Sequence, residues 1–521
     1  MAEYLSPGVY VEEIEIGVKP IEGVSTSTAG FLGEAERGPT TPRFITSWTQ
    51  YQRVYGSYFG SDKYLPYAVE GFFKNGGQRC YVERIVGGTT NNTNPAVSAG
   101  AILTDKDGAD TLTITAIGEG KWGNNITFKI ENGIQNGEDE FKLSLFYWKD
   151  KVPVPFFDPN EDTKSIARPS VIEIYDNLSM DSSSHNFYKK RINEASNLIM
   201  IKKTGTSTNK PKSHGGSVIS VDHTFAFCYG ILSGGKETKI TLADYQGRDD
   251  KENSTGLLTF TKIDDISILY SPNSSESLTK ELIAHCENLK DRFVIIDAPE
   301  KTPVTVSPRD KFDTKYGAYY YPWIKIIDPQ NGRKKLIPPG GYIAGIYTRS
   351  DVERGVHKAP ANETVRGVLE LEFPVTKGDQ DVLNPKGVNC IRAFPGRGIR
   401  VWGARTLSSD PSWKYINVCR LFLYLEESID KGTQWAVFEP NGEILWARVI
   451  QTISNFLKGI WKSGALMGRT PEEAFFVKCD RMTMTPDDID NGRLIVLIGV
   501  APIKPAEFVI FRIAQWTNNA E

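Results

Sequence analysis

The chain has 521 residues, 40% of them hydrophobic, 24% charged and 11% aromatic, and carries a formal net charge of -3. That length exceeds what one hydrophobic core serves and predicts roughly two to four domains. The near-neutral balance excludes bulk electrostatic attraction to nucleic acid or an anionic membrane, and no apolar run reaches the ~18 residues of a membrane span.

In chain order, Ser6-Pro7-Gly8 is a turn signal, and Val9-Tyr10-Val11-Glu12-Glu13-Ile14-Glu15-Ile16 after it reads as a short strand with no partner beside it. No basic region precedes an apolar stretch at this end, so no signal peptide is expected. From Gly30 to Val86 the pattern is α/β. Ser47 can cap one helix, Tyr64 to Lys74 forms a second stopped by Asn75-Gly76-Gly77, and Arg79 to Val86 is a strand.

Gly87-Gly88-Thr89-Thr90-Asn91-Asn92-Thr93-Asn94 reads as a linker. Beyond it, Thr111 to Ile117, Asn125 to Ile130 and Phe141 to Phe146 alternate with period two. Short strands at this spacing predict a small all-β domain ending near Lys203, with the polar stretch Lys202 to Ser217 leading out of it. The α/β pattern then resumes as strand Ile266 to Tyr270, amphipathic helix Leu278 to Leu289 and strand Arg292 to Asp297. That is one βαβ unit, so the β domain is an insertion into a larger α/β domain.

Further on, Asp410 and Pro411 are expected to cap a long helix that ends at Lys431-Gly432. Pro440 opens another helix to about Ser463, Thr470-Pro471-Glu472-Glu473 is a capping box, and Leu494 to Val500 is a strand. Phe508-Val509-Ile510-Phe511-Arg512-Ile513 then reads as a last strand, again without a partner in the sequence. An unpaired apolar strand at each end is a template for joining another chain's sheet; pairing of each with its own domain is the other reading.

The chemistry-bearing residues assemble into no active site. Gly230-Ile231-Leu232-Ser233-Gly234-Gly235-Lys236-Glu237 matches a phosphate loop but places Glu where Ser or Thr would hold magnesium, and a β-like stretch follows. A plain glycine turn is the competing reading. The histidines (His185, His214, His223, His285, His357) lie in no metal-spaced motif, and no GxSxG elbow occurs. Asp249-Asp250 and Asp487-Asp488 sit in turn-like contexts that suit helix caps or solvated loops. The six cysteines are scattered, with no CxxC, which suits reduced buried thiols. No catalytic residue, metal or cofactor is therefore expected.

Eight stretches, in order, carry a family resemblance: Ser6 to Glu13, Gly71 to Gly77, Tyr321-Pro322-Trp323, Gly355 to Asn362, Val401 to Thr406, Phe438 to Asn441, Gly464 to Gly468, and Pro505 to Phe508. On these the chain resembles contractile tail sheath proteins of myophages, R-type pyocins and extracellular injection systems. The resemblance implies a subunit of stacked rings, hexameric in the family, around an inner tube, with contraction driving the tube through a target envelope. Its implied partners are itself, the tube protein, and baseplate and tail-terminator or cap proteins, with no nucleic acid and no membrane insertion. Cytoplasmic synthesis and assembly, then residence in a phage tail or a released or membrane-anchored particle, follow from it.

The resulting expectation is an α/β plus α+β chain. Residues 1–30 form an N-terminal linking arm, with Val9, Tyr10, Val11, Glu12 and Ile14 as the exchanged strand. Residues 31–90 and 215–395 form an α/β domain that the resemblance makes subtilisin-like in shape and non-catalytic. Residues 91–214 form the inserted small all-β sandwich. Residues 396–505 form a C-terminal α+β sheath domain that the resemblance makes tube-facing and completed by neighbours' arms. Residues 506–521 form the C-terminal arm, with Phe508, Val509, Ile510, Phe511 and Ile513 as its strand.

Burying those five apolar side chains returns on the order of 10 kcal/mol. Ordering six residues costs about 6–12 kcal/mol, so a single arm is near break-even and many engaged together hold.

In the helix from about Glu443 to Ser463, Trp446, Val449, Ile450, Ile453, Leu457, Ile460 and Trp461 form an apolar stripe. The other side carries Arg448, Gln451, Asn455, Lys458 and Lys462, and Arg469 follows. By resemblance, Lys458, Lys462 and Arg469 meet acidic groups of the tube; a solvated helix face is the alternative. Two other functions compete overall: a self-assembling shell or adhesin without a tube, and an α/β hydrolase or nucleotide-binding enzyme.

Overall fold

Continuous apolar runs become strands buried at nearly every position, as a parallel sheet covered on both faces requires: Thr28–Gly33, Ile268–Tyr270, Phe293–Asp297 and Gly317–Tyr321. The structure is a computed structural model describing residues 20–88, 95–135, 139–153, 159, 167–213, 220–221, 224–225, 229–250, 254–302 and 308–512. It divides into two units. The larger comprises Thr26–Arg354 and Ala359–Ile416; the smaller comprises Gly355–Lys358 and the described residues from Asn417 on, with residues 20–25.

In the larger unit a nine-stranded sheet runs Glu363–Thr364, Gly398–Val401, Val388–Phe394, Gly317–Tyr321, Phe293–Asp297, Ile268–Tyr270, Thr28–Gly33, Arg79–Arg84, Arg43–Ile45. The interior pairs from Val388–Phe394 through Arg79–Arg84 are parallel, and the outer pairs are antiparallel. Phe31 packs edge-on against Phe72 of helix Leu65–Lys74, with ring centroids 5.3 Å apart. Its neighbour Gly30 points the other way, toward Ile266 and Phe260.

The βαβ unit forms as expected. Helix Glu276–Leu289, capped by Ser275, joins Ile268–Tyr270 to Phe293–Asp297 in parallel register. Ser47 likewise caps Trp48–Tyr55, its Oγ accepting from Gln50 N at 3.2 Å. Helices Leu65–Lys74 and Gly340–Arg354 approach closely through glycine: a Cβ at Gly345 would lie 2.4 Å from the Phe72 carbonyl oxygen.

The alternating segments after residue 95 build two antiparallel sheets within this unit. One has Gly230–Ile231, Ile126–Asn132, Glu140–Tyr147 and Val171–Ser179; the other has Gly100–Thr104, Asp110–Ala116 and Ile199–Lys203. Leu112, Ile114 and Ile201 of one sheet and Ile130, Leu143 and Leu145 of the other share a single core. Beside it two buried arginines are held by main-chain carbonyls. Arg37 donates to Gln52, Arg53 and Val54, and Arg84 to Ala35, Gly38 and Glu119.

The smaller unit is α+β. Helices Ile416–Thr433 and Glu443–Lys462 pack with hairpin Phe475–Lys478/Leu497–Val500 around Leu421, Leu425, Trp446, Val449, Ile453 and Leu457. Residues 20–25 lie against the first helix, where Val24 N donates to Ser428 Oγ at 3.1 Å.

Three expectations are corrected. Asp410 and Pro411 cap only the 3-10 turn Pro411–Trp413, because the Arg405–Tyr415 bridge holds the chain extended and delays the long helix to Ile416. The next helix starts at Glu443 from a Gly442 cap, not at Pro440. Thr470 makes no side-chain cap to Pro471–Ala474, and Glu473 accepts instead from Arg469 N at 2.8 Å.

Among the described residues no helix is long and apolar enough to cross a membrane. Among the described residues Cys80, Cys286, Cys390, Cys419 and Cys479 are buried and in no disulfide.

Candidate assembly surfaces

Helix Glu443–Lys462 sorts its side chains as the stripe predicts. Trp446, Val449, Ile453 and Leu457 are buried, Ile450, Ile460 and Trp461 half-buried, and Lys458 and Lys462 exposed one turn apart. Trp461 Nε1 donates to Gly468 O at 3.0 Å, folding the turn back so that exposed Arg469 leaves the helix end. Among the described residues neither Lys462 nor Arg469 makes a side-chain ion pair, but Lys458 faces acid. The Glu472 carboxyl is held below its usual range by its own N–H, by Thr470 and by Lys458. Sequence reading took Glu472 and Glu473 only as part of a capping box and not as neighbours of Lys458, because they belong to the next turn and not to the helix face.

Arg448 is engaged differently, its guanidinium lying 4.8 Å from the Trp435 ring centroid.

The hairpin has only two strands, and such a pair is marginal without further partners. Alongside it opens a groove of about 970 Å³, walled by apolar side chains that include Leu425, Val449, Ile453, Leu494, Ile498 and Val500. The C-terminal strand expected at Phe508 pairs with nothing among the described residues. Phe508, Val509, Ile510 and Phe511 stand 69–83% exposed in sequence. Ile513 and the N-terminal strand residues Val9, Tyr10, Val11, Glu12 and Ile14 lie outside the described residues.

The stretches around His357 and Pro505 meet at Asn417. Its Nδ2 donates to His357 O at 2.8 Å and to Ile503 O at 3.2 Å.

The phosphate-loop match has the wrong backbone for that chemistry. Gly230–Ile231 pairs with Phe128 and Thr127, and Ser233 and Lys236 bridge to Gly100 and Val97. Gly235 N donates to Asn124 Oδ1 at 2.8 Å, so the segment is an extended sheet edge and not a cradle opening a helix. Asp488 is a helix cap, accepting from Thr485, and Asp249 is a loop residue beside Lys262 and Ser254. Among the described residues no group of three or more His, Cys, Asp or Glu is placed to hold a metal.

An α/β body, an open two-stranded hairpin beside an apolar groove, and an exposed apolar end together describe a subunit of a larger assembly. The family description "Phage tail sheath protein central domain" matches residues 247–407, and "Phage tail sheath C-terminal domain" matches 408–515; together they span more than half the chain. The chain belongs to the phage tail sheath protein family. A prophage protein of Pseudomonas aeruginosa (strain UCBPP-PA14), named as a major tail sheath protein, is 25% identical over 234 residues, 43% of this chain and 58% of that one. The tail sheath protein of Vibrio phage KVP40 is 26% identical over 209 residues, 39% of this chain and 30% of that one. The aligned stretches thus span less than two thirds of these relatives.

In structure, the sheath of an extracellular contractile injection system in its contracted state aligns over 99% of both chains with a TM-score of 0.58 at 23% identity, a likeness of fold.

Proposed function

We propose that this chain is a non-catalytic subunit of a contractile sheath. It polymerises as stacked, hexameric rings around an inner tube and contracts to drive that tube through a target envelope. The observation that carries the reading is the run of four exposed apolar side chains, Phe508 to Phe511, in a molecule whose two-stranded hairpin borders an unfilled apolar groove. Each half of that arrangement lacks what the other supplies.

In this reading residues 1–19 and 506–521 add strands to neighbouring subunits, whereas Thr28 to Gly30, expected within the arm, pair in the chain's own parallel sheet. The α/β body is the subtilisin-like domain, and the two antiparallel sheets are its sandwich insertion, which runs past the expected end at 214 because Gly230–Ile231 and the bridges at Ser233 and Lys236 belong to it. The smaller unit, which takes its long helices from Asn417 on and not from the expected boundary at 396, faces the tube through Lys458, Lys462 and Arg469. Baseplate and cap proteins terminate the stack, and assembly takes place in the cytoplasm. The energy of contraction resides in two packings of one set of interfaces that differ by a few kcal/mol per subunit.

Electron microscopy of the purified chain with and without its tube protein tests this. Hollow helical cylinders are expected, extended with the tube and shorter and wider without it. Removing residues 506–521 is expected to leave soluble, unpolymerised subunits. Polymers without a central channel, or undiminished assembly of the truncated chain, would overturn the reading.

A further inference from the structure

In the smaller unit, the stretch that leads into the C-terminal segment is bonded to both sides of the turn that carries Arg469. Met467 N donates to Ala501 O at 2.8 Å, Ile503 N donates to Ala465 O at 3.2 Å, and Leu466 bridges Pro502. Beyond the arginine, Ala501 N donates to Ala474 O at 2.9 Å. The turn itself has little freedom. Trp461 Nε1 donates to Gly468 O at 3.0 Å, and Gly468, with φ 120, has no room for a Cβ, which would lie 2.9 Å from Ala474 N. Residues 465–474 and 501–503 thus share one set of main-chain bonds.

One buried side chain closes the set. Asn417 is 1% exposed, and its Nδ2 donates to His357 O and to Ile503 O. Both neighbours are carbonyl oxygens, which fixes the orientation of the amide. Its Oδ1 is buried without a partner. An unpaired buried acceptor is costly, so the amide is held there by what its two N–H groups reach. A short main-chain pairing outside any sheet opens readily by itself, and Asn417 supplies the second anchor on Ile503. Past that point the chain runs out to Phe508, Val509, Ile510 and Phe511, which stand 69–83% exposed.

We infer that the tube-facing turn and the root of the C-terminal segment move as one piece, with Asn417 as the positioning residue that joins them. Engaging the tube through Arg469 then also fixes the direction in which Phe508 to Phe511 leaves the subunit. By linkage, an engaged C-terminal segment strengthens tube binding by the same factor. This inference rests on the tube-facing and strand-exchange readings above and adds a coupling between them.

Hydrogen exchange on the full-length chain below its polymerising concentration, with and without tube protein, tests the coupling. Tube protein is expected to slow exchange in residues 464–474 and 501–504 of the wild type together. Asn417→Ala speeds exchange in 501–504 about tenfold or more while Phe475–Lys478 keeps its protection, and tube protein then slows 464–474 alone. Asn417→Asp keeps the size of the side chain but lacks both donors, so it is expected to match N417A; a role in packing alone would leave it like the wild type. Ile503→Pro deletes the bond to Ala465 with Asn417 intact, and gives the same result if the Asn417 variants do not fold.

Exchange in 501–504 that is the same in wild type, N417A and N417D overturns the clasp. Tube protein that slows 464–474 but not 501–504 of the wild type overturns the coupling while leaving the tube-facing reading intact. Tube protein that slows neither stretch overturns the tube-facing reading itself. Failure of strand exchange shows separately, as normal polymers from a chain lacking residues 506–521.

Discussion

The Tyr270 hydroxyl donates to Asp297 Oδ2 at 2.6 Å while Gly340 N donates to its other oxygen at 2.8 Å, tying two parallel strands to the start of helix Gly340–Arg354. Burial outweighs these donors and pushes the Asp297 carboxyl up to about 7. His285 is moved the opposite way. Burial, then the Arg292 guanidinium 3.4 Å from its Nε2, lowers it to about 4, while nearby Asp291 acts to raise it.

These two groups give opposite pH slopes. Asp297, with its folded value raised, contributes stability that is full below about 3.8 and lost as pH rises through about 7. His285, with its folded value depressed, contributes stability that is full above about 6.5 and lost as pH falls through about 4. Across these windows the effect is on the order of 4 kcal/mol for Asp297 and about 3 kcal/mol for His285. Denaturant melts between pH 4 and 7 compare each variant with the wild type, in which buried Glu83, also raised, adds to the Asp297 slope. Relative to wild type, His285→Gln should lose stability as pH rises, and Asp297→Asn should gain it. Three superimposable profiles would mean that neither group is shifted.

Two glycines in helices should respond oppositely to alanine. A Cβ at Gly345 meets the Phe72 carbonyl oxygen at 2.4 Å and Asn75 Cβ at 2.9 Å, and main chain cannot step aside. Gly345→Ala is expected to cost about 1–3 kcal/mol. Gly459, exposed within helix Glu443–Lys462, has nothing within 4 Å of its Cβ position. Gly459→Ala should stabilise the helix by about 0.5–1 kcal/mol. Urea midpoints measure both, and a destabilised G459A would be at odds with an open helix face.

Lys458 and Lys462, exposed one turn apart on that helix, are the tube-facing cations of the proposed function. Reversing both to Glu is expected to abolish co-sedimentation with tube protein at low salt while leaving cylinders without tube intact. Single exposed ion pairs are worth about 0–1 kcal/mol, so wild-type binding should itself fade as salt rises. Unchanged tube binding by the double variant would return this face to solvent.

How far the sequence reached depended on what kind of partner each residue has. Where burial periodicity decides, as in the stripe from Trp446 to Leu457 or the βαβ unit around Ile268 and Phe293, residue types alone placed the elements to within a few positions. Asp410 misled because a capping residue looks the same before a 3-10 turn as before a helix, and the Arg405–Tyr415 bridge that decides between them is tertiary. Lys458 was legible as a cation, but its neighbour Glu472 was not, since the turn at Gly464 brings it back. Phe438 stood in a recognised motif, yet its left-handed backbone depends on the turn closed from Glu439 to Ala436. The carbonyl clusters around Arg37 and Arg84 could not be foreseen, because main-chain acceptors leave no trace in residue identity.

Arg84 gives the last and most demanding test. Its side chain is 5% exposed and donates to Ala35 O at 3.3 Å, Gly38 O at 3.1 Å and Glu119 O at 2.9 Å. Glu119 lies in the β region and Ala35 in the α/β part, so one guanidinium fastens both within the larger unit. Lysine has the charge but not the planar fork that reaches three acceptors. Arg84→Lys should therefore cost about 2–3 kcal/mol, and Arg84→Met, which orphans all three carbonyls, about 3 kcal/mol or more. The location of the loss is the sharper prediction. Hydrogen exchange should rise first along Asp110–Ala116 and Ile126–Asn132, while the parallel strands Thr28–Gly33 and Ile268–Tyr270 keep their protection. Uniform loss across both sets would show that the β region and the parallel sheet unfold as one cooperative body, with Arg84 only one contact among many.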